Sequence, residues 1–471
     1  MDTKHYDLVV IGSGPAGEKG AAQAAYFGKS VALIEKETVL GGAAANTGTL
    51  PSKTLRETAL YLSGFKQRGL YGMEINLKDR VTARDFLYRE RLVVESEHKR
   101  IAENLKRHEV DLYDGCASFV DAHTLEVKRE HSPPVHLHGD VILIATGSYP
   151  HHPDNLPFHD QRVYDSDTIL TINDLPRSML VAGGGVIGCE YACMFAALGI
   201  EVTLVEGRDR LLTFLDSDIS EALAAAMKKL GIHVRLSDMI ETVDTAPEGF
   251  QVNFKSGDVA NVQNILAATG RSGATDRLNL SGIGIEVGGR GNLNVNGAYQ
   301  TELPHVYAVG DVIGFPALAS TSMEQARIAM VHAFDLQYKT ALAPILPYGI
   351  YTIPECSMAG ETEMSLKEKG VDYVVGRASY DANARGQIIG DDDGFVKLLF
   401  AADDMKLLGI QIIGDNASEL IHTGLLGLLS GATADLYIQT CFNYPTLGEM
   451  YKYATYDALG AKARRNKDEA A

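Results

Sequence analysis

The sequence predicts an α/β protein in which one parallel βαβ unit is inserted within another, followed by a third, α+β domain. Three observations carry that expectation. A strand–glycine turn–helix–strand pattern occupies residues 6–36 and recurs at residues 178–207. Apolar strands that run into Ala-Thr-Gly, at 140–150 and 264–273, bracket the second copy. Beyond Pro344 and Pro347 the pattern changes to strands such as 394–400 and 407–414, with helices from Ser418 onward. At roughly 150 residues per domain, a chain of 471 residues has room for three domains. The boundaries read as 1–150 and 271–343 for the first domain, 151–270 for the inserted one and 344–471 for the last.

The elements follow in order. Residues 6–11 (YDLVVI) form an apolar run of strand length, residues 16–27 have helical composition, and residues 30–34 (SVALI) read as a second buried strand. Strand, helix and strand within about 30 residues imply parallel strands joined by a right-handed crossover. Residues 178–207 repeat the sequence of elements. HVYAVGDVIG (305–314) is a further apolar strand ending in Gly-Asp, which returns the chain to the first domain. The basic tail, 461–471, reads as frayed.

Composition narrows the class. Sixty-one acidic residues against 43 Lys and Arg give a formal charge of -18, and such a surface repels nucleic acid and anionic lipid. Five scattered cysteines, none in a CxxC pair, supply neither a disulfide framework nor a structural zinc site. The His151-His152 pair has no partner at ligand spacing, so no metal is expected. With no signal-peptide pattern and no apolar run of spanning length, a cytoplasmic protein is expected.

The glycines locate the chemistry. Gly12-Ser13-Gly14-Pro15-Ala16-Gly17 follows a strand and opens a helix. The first glycine allows the tight turn, the second lets a pyrophosphate approach, and the third permits close helix–strand packing. The helix N-terminus then faces the phosphates, and Glu35 ends the second strand where a carboxylate accepts from ribose hydroxyls. Gly183-Gly184-Gly185-Val186-Ile187-Gly188 repeats this arrangement, with Glu206 in the place of Glu35. Both units therefore read as Rossmann-like dinucleotide-binding domains. Glu206 favours NAD(H), because it binds a 2′-OH and repels a 2′-phosphate. Arg208 and Arg210 lie just beyond it, and the sequence leaves open whether they meet such a phosphate or face solvent.

Two nested dinucleotide folds, Gly310-Asp311 after a late strand and a C-terminal α+β domain together resemble the FAD-dependent pyridine nucleotide–disulfide oxidoreductases, over essentially the whole chain. The resemblance implies FAD on Gly12, Gly14, Pro15, Ala16, Gly17, Glu35 and Lys36, with Gly41, Gly42, Ala43, Ala44, Thr49, Lys53, Thr146, Gly147, Gly310, Asp311 and Ala319. Asp311 would hold the ribityl chain. It implies the nicotinamide nucleotide on Gly183, Gly185, Val186, Ile187, Gly188, Glu206, Arg208 and Gly270. The last domain would form a homodimer, and larger assemblies stay open.

The family's redox motif reads GGxCxNxGCxPSK, and here residues 41–53 read GGAAANTGTLPSK. The frame is intact, but Ala44 and Thr49 occupy both sulfur positions and neither can attack a disulfide. Where the disulfide reductases carry His-Pro-x-x-x-Glu, this chain has Tyr444-Pro445-Thr446-Leu447-Gly448-Glu449, and a Tyr with a reference pKa near 10 is a poor base. Lys53 beside the flavin, paired with Glu190, is the catalytic equipment that the resemblance leaves. Tyr191 either covers the nicotinamide pocket or packs in its helix. Cys189 and Cys193 read as a buried apolar pair rather than a redox couple, since their spacing on one helix suits a disulfide poorly. His422 reads as a surface or interface residue.

The stretches 46–57, 350–355 and 443–449 are similar to the family's transhydrogenases. That likeness implies a flavoprotein enzyme of the Si-specific type that moves hydride between NADPH and NAD through FAD. An NAD(P)H:quinone or dye reductase and a non-catalytic flavoprotein subunit are the alternatives.

Overall fold

The computed structural model describes residues 3–64, 81–129 and 132–469. The first unit opens with strand β1 (Thr3–Ile11), helix α1 (Pro15–Tyr26) and strand β2 (Val31–Glu35). Two helices carry the redox frame, α2 (Gly42–Asn46) and α3 (Thr49–Ser63), and a long helix, α4 (Ala83–Arg107), covers them. Strands β3 (Asp111–Asp114), β4 (Cys116–Phe119), β5 (Thr124–Arg129) and β6 (Ser132–Ile144) complete the sheet, in the order β3-β2-β1-β6-β5-β4. β1 pairs parallel with both β2 and β6, as the buried, unbroken Leu8–Ile11 run requires.

The chain leaves this unit through β7 (Ser148–Pro150) and returns through β16 (Arg271–Gly273), which pair antiparallel as a two-stranded ribbon. Between them lie β8 (Val163–Asp165), β9 (Ser178–Ala182), α5 (Val186–Ala197), β10 (Glu201–Glu206), α6 (Ser217–Lys229), β11 (His233–Leu236), the antiparallel β12 (Ile240–Ala246), β13 (Gly249–Phe254) and β14 (Val259–Val262), and β15 (Asn264–Ala267). The parallel sheet here runs β11-β10-β9-β15-β8. β17 (Val306–Ala308) then joins β6 of the first sheet and leads to α7 (Ala319–Ala333).

The last unit is an antiparallel sheet, β18-β19-β22-β21-β20, made from β18 (Tyr348–Ile350), β19 (Cys356–Gly360), β20 (Tyr373–Ser379), β21 (Phe395–Ala401) and β22 (Leu407–Ile413). Its helices are α8 (Glu363–Glu368), α9 (Ala384–Ile389), α10 (Ala417–Ser430), α11 (Ala434–Gln439) and α12 (Met450–Glu469). The tail is therefore helical to Glu469 rather than frayed, because Arg465 makes a two-pronged pair with Asp372 and Lys462 donates to the Asp403 carbonyl. Ala470 and Ala471 lie outside the described residues.

One apolar core joins the three units. Leu55 and Ala59 of α3, Phe86 of α4, Cys193 and Phe195 of α5, and Ile350 and Cys356 of the last sheet belong to a single buried cluster. No helix among the described residues is long and apolar enough to cross a membrane.

Candidate functional site

Each glycine cradle is set by contacts that admit no side chain. A Cβ on Gly12 would lie 2.5 Å from the Ala145 carbonyl oxygen, and one on Gly17 would lie 1.8 Å from that of Gly12. The second cradle repeats this: Gly183 would meet the Ala268 oxygen at 2.4 Å and Gly188 the Gly183 oxygen at 1.9 Å. The middle glycines differ. Gly185 has open space where a Cβ would stand, and the nearest atom to one on Gly14 is the Gly42 Cα at 3.9 Å. Helices α1 and α5 begin at these glycines with no side-chain cap, so their first N–H groups remain free to take an anion.

The acids at the strand ends have a role that the sequence reading missed. Glu35 accepts from the N–H and hydroxyl of Ser13, at 2.9 and 2.6 Å, and from the Glu37 N–H. Glu206 accepts from the Gly184 N–H at 2.7 Å. Each carboxylate thus ties down the residue after the first glycine. Arg208 doubles up on Glu206, with Nε at 3.0 Å from Oε1 and Nη2 at 3.1 Å from Oε2. Burial pushes the Glu206 carboxyl up, and the Arg208 and Gly184 hydrogen bonds outweigh it, so its net pKa lies below the ordinary value. Arg210 turns away from Glu206 and donates to the Thr213 carbonyl.

The redox frame lies against the first cradle: a Cβ on Gly42 would come within 2.9 Å of the Gly14 Cα. Asn46 ties the frame together, donating to the Leu40 and Gly42 carbonyls, and its Oδ1 lies 2.6 Å from His98 Nε2 of α4. Lys53, one turn into α3, places Nζ 2.8 and 2.6 Å from the two oxygens of Glu190 on α5. Glu190 is 3% exposed and also accepts the Tyr351 N–H at 2.9 Å, while the Tyr351 ring lies under the lysine, 4.8 Å from Nζ. Sequence reasoning missed Tyr351 and His98. The first stands in the 350–355 stretch, and the second has no sequence signal.

The remaining residues fall around this centre. Ser148 donates to Asp311 at 2.9 Å, Arg271 donates to Ser148, and Gly310 N–H is held by Gln325. Ala319 opens α7, whose N-terminus has no side-chain cap. Gly147 has positive φ and open space beside it, and a Cβ on Gly270 would meet the Arg290 guanidinium at 2.9 Å. Thr146 Oγ1 is buried with no hydrogen-bond partner. Lys36 is exposed and pairs with Glu37.

Several readings resolve. Tyr191 is 2% exposed and stacks with Phe195, which makes it a core residue of α5. Cys189 and Cys193 are free and fully buried, and burial pushes the Cys193 thiol up to about 12. His152 hydrogen-bonds to Asp165 at 2.7 Å and stacks on Phe158. His422 is exposed on α10, and so is Tyr444, whose bond to Pro445 is cis. Among the described residues, one acidic group has metal-ligand spacing, Asp216, Asp218 and Glu363. The Lys397 ammonium lies within 2.9 Å of all three.

An FAD fits this first unit on three counts. The Gly14 and Gly147 positions stay clear of side chains, α1 and α7 present uncapped N-termini, and the buried Thr146 hydroxyl lacks a partner.

Fold and site together define a two-cradle dinucleotide oxidoreductase, and the chain belongs to the pyridine nucleotide-disulphide oxidoreductase family. That family's signature matches residues 6–332 and its dimerisation domain matches residues 346–455. The chain is 45% identical to the soluble pyridine nucleotide transhydrogenase of Mycobacterium tuberculosis (strain ATCC 25177 / H37Ra), over 98% of this chain and 99% of that one. It is 39% identical to the protein of the same name from Vibrio atlanticus (strain LGP32), over 97% and 98%. Among solved structures it is similar to the HOCl-induced flavoprotein disulfide reductase RclA from Escherichia coli, with TM-score 0.86 and 27% identity over 96% and 99% of the two chains. LpdA from Mycobacterium tuberculosis shares the fold, with TM-score 0.87 at 24% identity over 96% and 99%.

Proposed function

We propose that the chain moves hydride between NADPH and NAD as a Si-specific transhydrogenase, with FAD in the first cradle and both nucleotides taking turns in the second. The observation that carries this reading is the Lys53–Glu190 pair, closed at 2.6 Å, beside a redox frame whose sulfur positions hold Ala44 and Thr49. The names of the full-length relatives support it. Bound FAD supplies the hydride acceptor and donor at its N5.

The chain's own residues bind and orient. The uncapped α1 N-terminus and the clear Gly14 position would hold the pyrophosphate of FAD, and Thr146 and Asp311 would hold the rest of the cofactor. Lys53 presents a cation fixed on three sides, by the two Glu190 oxygens and the Tyr351 ring. A positive charge held in a partly buried site favours added electron density next to it and needs no reorganisation. Gly185 and the α5 N-terminus would take the nucleotide phosphates, with Glu206 and Arg208 at the ribose. No side-chain nucleophile or general base is required, since the cofactor carries the hydride. The dimerisation domain is assigned to a homodimer and the enzyme to the cytoplasm.

Anaerobic mixing of the yellow holoenzyme with NADPH tests the reading. Bleaching of the flavin followed by faster reoxidation with thio-NAD than with a quinone is expected. Faster reoxidation by the quinone would replace the transhydrogenase with an NAD(P)H:quinone reductase, and absence of bleaching would remove both.

A further inference from the structure

The segment between β10 and α6 begins at Glu206 and ends at Asp216, and it is held at both ends. Near its middle, Leu212 adopts positive φ and donates to the Gly184 carbonyl of the second cradle at 3.3 Å. Its Leu211, Leu212 and Leu215 side chains are buried. Both arginines of the segment tie to Thr213: Arg208 donates to its hydroxyl at 3.2 Å and Arg210 to its carbonyl at 3.1 Å.

Three residues further on, Asp216 is bonded to the C-terminal unit at every polar atom it has free. Its N–H donates to Gln411 Oε1 at 3.0 Å, Oδ1 accepts the Glu363 N–H at 2.9 Å, and Oδ2 accepts from Lys397 Nζ at 2.9 Å and from Gln411 Nε2. Lys397 and Gln411 are both 0% exposed and stand opposite each other on β21 and β22. The Lys397 ammonium also reaches Asp218 at 2.9 Å and Glu363 at 2.5 Å.

A charged Lys in the middle of the otherwise apolar FVKLLFA strand is a poor device for stability, because desolvation takes back much of the attraction. It does fix direction: an ammonium ringed by three carboxylates holds one geometry, where a leucine would tolerate several. We infer that Lys397 and Gln411 are positioning residues for nucleotide recognition. Through Asp216 and Thr213 they set where Arg208 and Arg210 stand, and so how tightly the second cradle binds a nucleotide carrying a 2′-phosphate. The inference rests on reading that cradle as the nicotinamide nucleotide site.

The test uses the holoenzyme and two probes, 2′,5′-ADP and 5′-AMP, titrated against wild type, Gln411→Leu, Lys397→Met and Glu206→Ala. Gln411→Leu keeps every charge and removes only two hydrogen bonds to Asp216, so it stays informative if Lys397→Met fails to fold. The expected result is a loss of about fivefold or more in 2′,5′-ADP affinity in Gln411→Leu, against a smaller loss for 5′-AMP, with the NADPH-driven flavin reduction rate at saturation within about twofold of wild type. Unchanged 2′,5′-ADP affinity in folded Gln411→Leu and Lys397→Met overturns the positioning role, as does a fall in the saturating rate with affinity intact. If Glu206→Ala also leaves both probes unaffected, the nucleotide reading of the cradle fails with it.

Discussion

Lys53 illustrates how one side chain is prepared by two others. Its ammonium meets both Glu190 oxygens, Glu190 is locked by the Tyr351 N–H, and the Tyr351 ring covers the cation. Lys53→Met is expected to slow NADPH-driven flavin reduction by about 10²-fold with FAD still bound, since one preorganised charge is typically worth that much. Stopped-flow absorbance reads it, and an unchanged rate would take Lys53 out of the chemistry. The cysteines make a second test. Cys189, Cys193 and Cys356 are fully buried with raised thiol pKa, whereas Cys441 is exposed. A thiol reagent applied to native protein should label Cys441 first and reach those three only on unfolding. Early labelling of Cys189 or Cys193 would contradict the packing of α5.

At the scale of elements, the glycines of one motif divide into two kinds. Gly17 sits against the backbone of Gly12, so Gly17→Ala forces β1 and α1 apart and should cost about 1–3 kcal/mol or more, read as a lower melting temperature and loss of flavin. Gly185 has ordinary φ, and its Cβ direction is open. Gly185→Ala should therefore fold with a near-normal melting temperature, yet raise the KM for both nucleotides by about tenfold, because the methyl stands where a phosphate would approach. Equal destabilisation by the two substitutions would contradict the division. The GxGxxG pattern and its flanking strands are legible in sequence because turn, helix start and crossover are local requirements. The carboxylates closing those turns are legible in position but not in role: that Glu206 accepts from Gly184 depends on two strand ends lying side by side.

Across the whole molecule, buried and half-buried carboxylates set the response to acid. Asp165, Glu206 and Glu363 titrate below their ordinary values: burial raises each, and the hydrogen bonds from Thr168 and His152, from Arg208 and Gly184, and from Lys397 and Tyr373 outweigh it. A depressed folded pKa stabilises fully above the unfolded value, and that stabilisation is lost as pH falls through the folded one. Glu90 and Asp391 act in the opposite sense, since burial raises them and protonation relieves their penalty. The depressed carboxylates, Asp238 and Glu361 among them, outnumber the raised pair, so the melting temperature should hold from neutral pH to about 5 and then fall steeply toward pH 3. A melting temperature that stays flat or rises over that range would show that the raised pair dominates. Lys397→Met would leave Asp216, Asp218 and Glu363 facing one another, so its acid limb should be shallower than that of wild type.

The α/β class, the two βαβ units and both glycine turns are written in the amino-acid pattern alone. Each is written in residues close together in the chain, where strand period, turn geometry and helix start act locally. The missing thiols at Ala44 and Thr49, and the Lys53–Glu190 pair, were legible only through the family frame, because nothing in the residues' own spacing marks them. Folding brought together the rest: the Tyr351 N–H on Glu190, His98 against Asn46, the helical tail fixed by Arg465, and Lys397 buried among carboxylates from two units. Those contacts join segments far apart in sequence, and what pairs them is burial in separate apolar cores: α3, α5 and β19 in one, α12 and β20 in a second, Ala45 and Ile101 of α2 and α4 in a third; no local pattern encodes these.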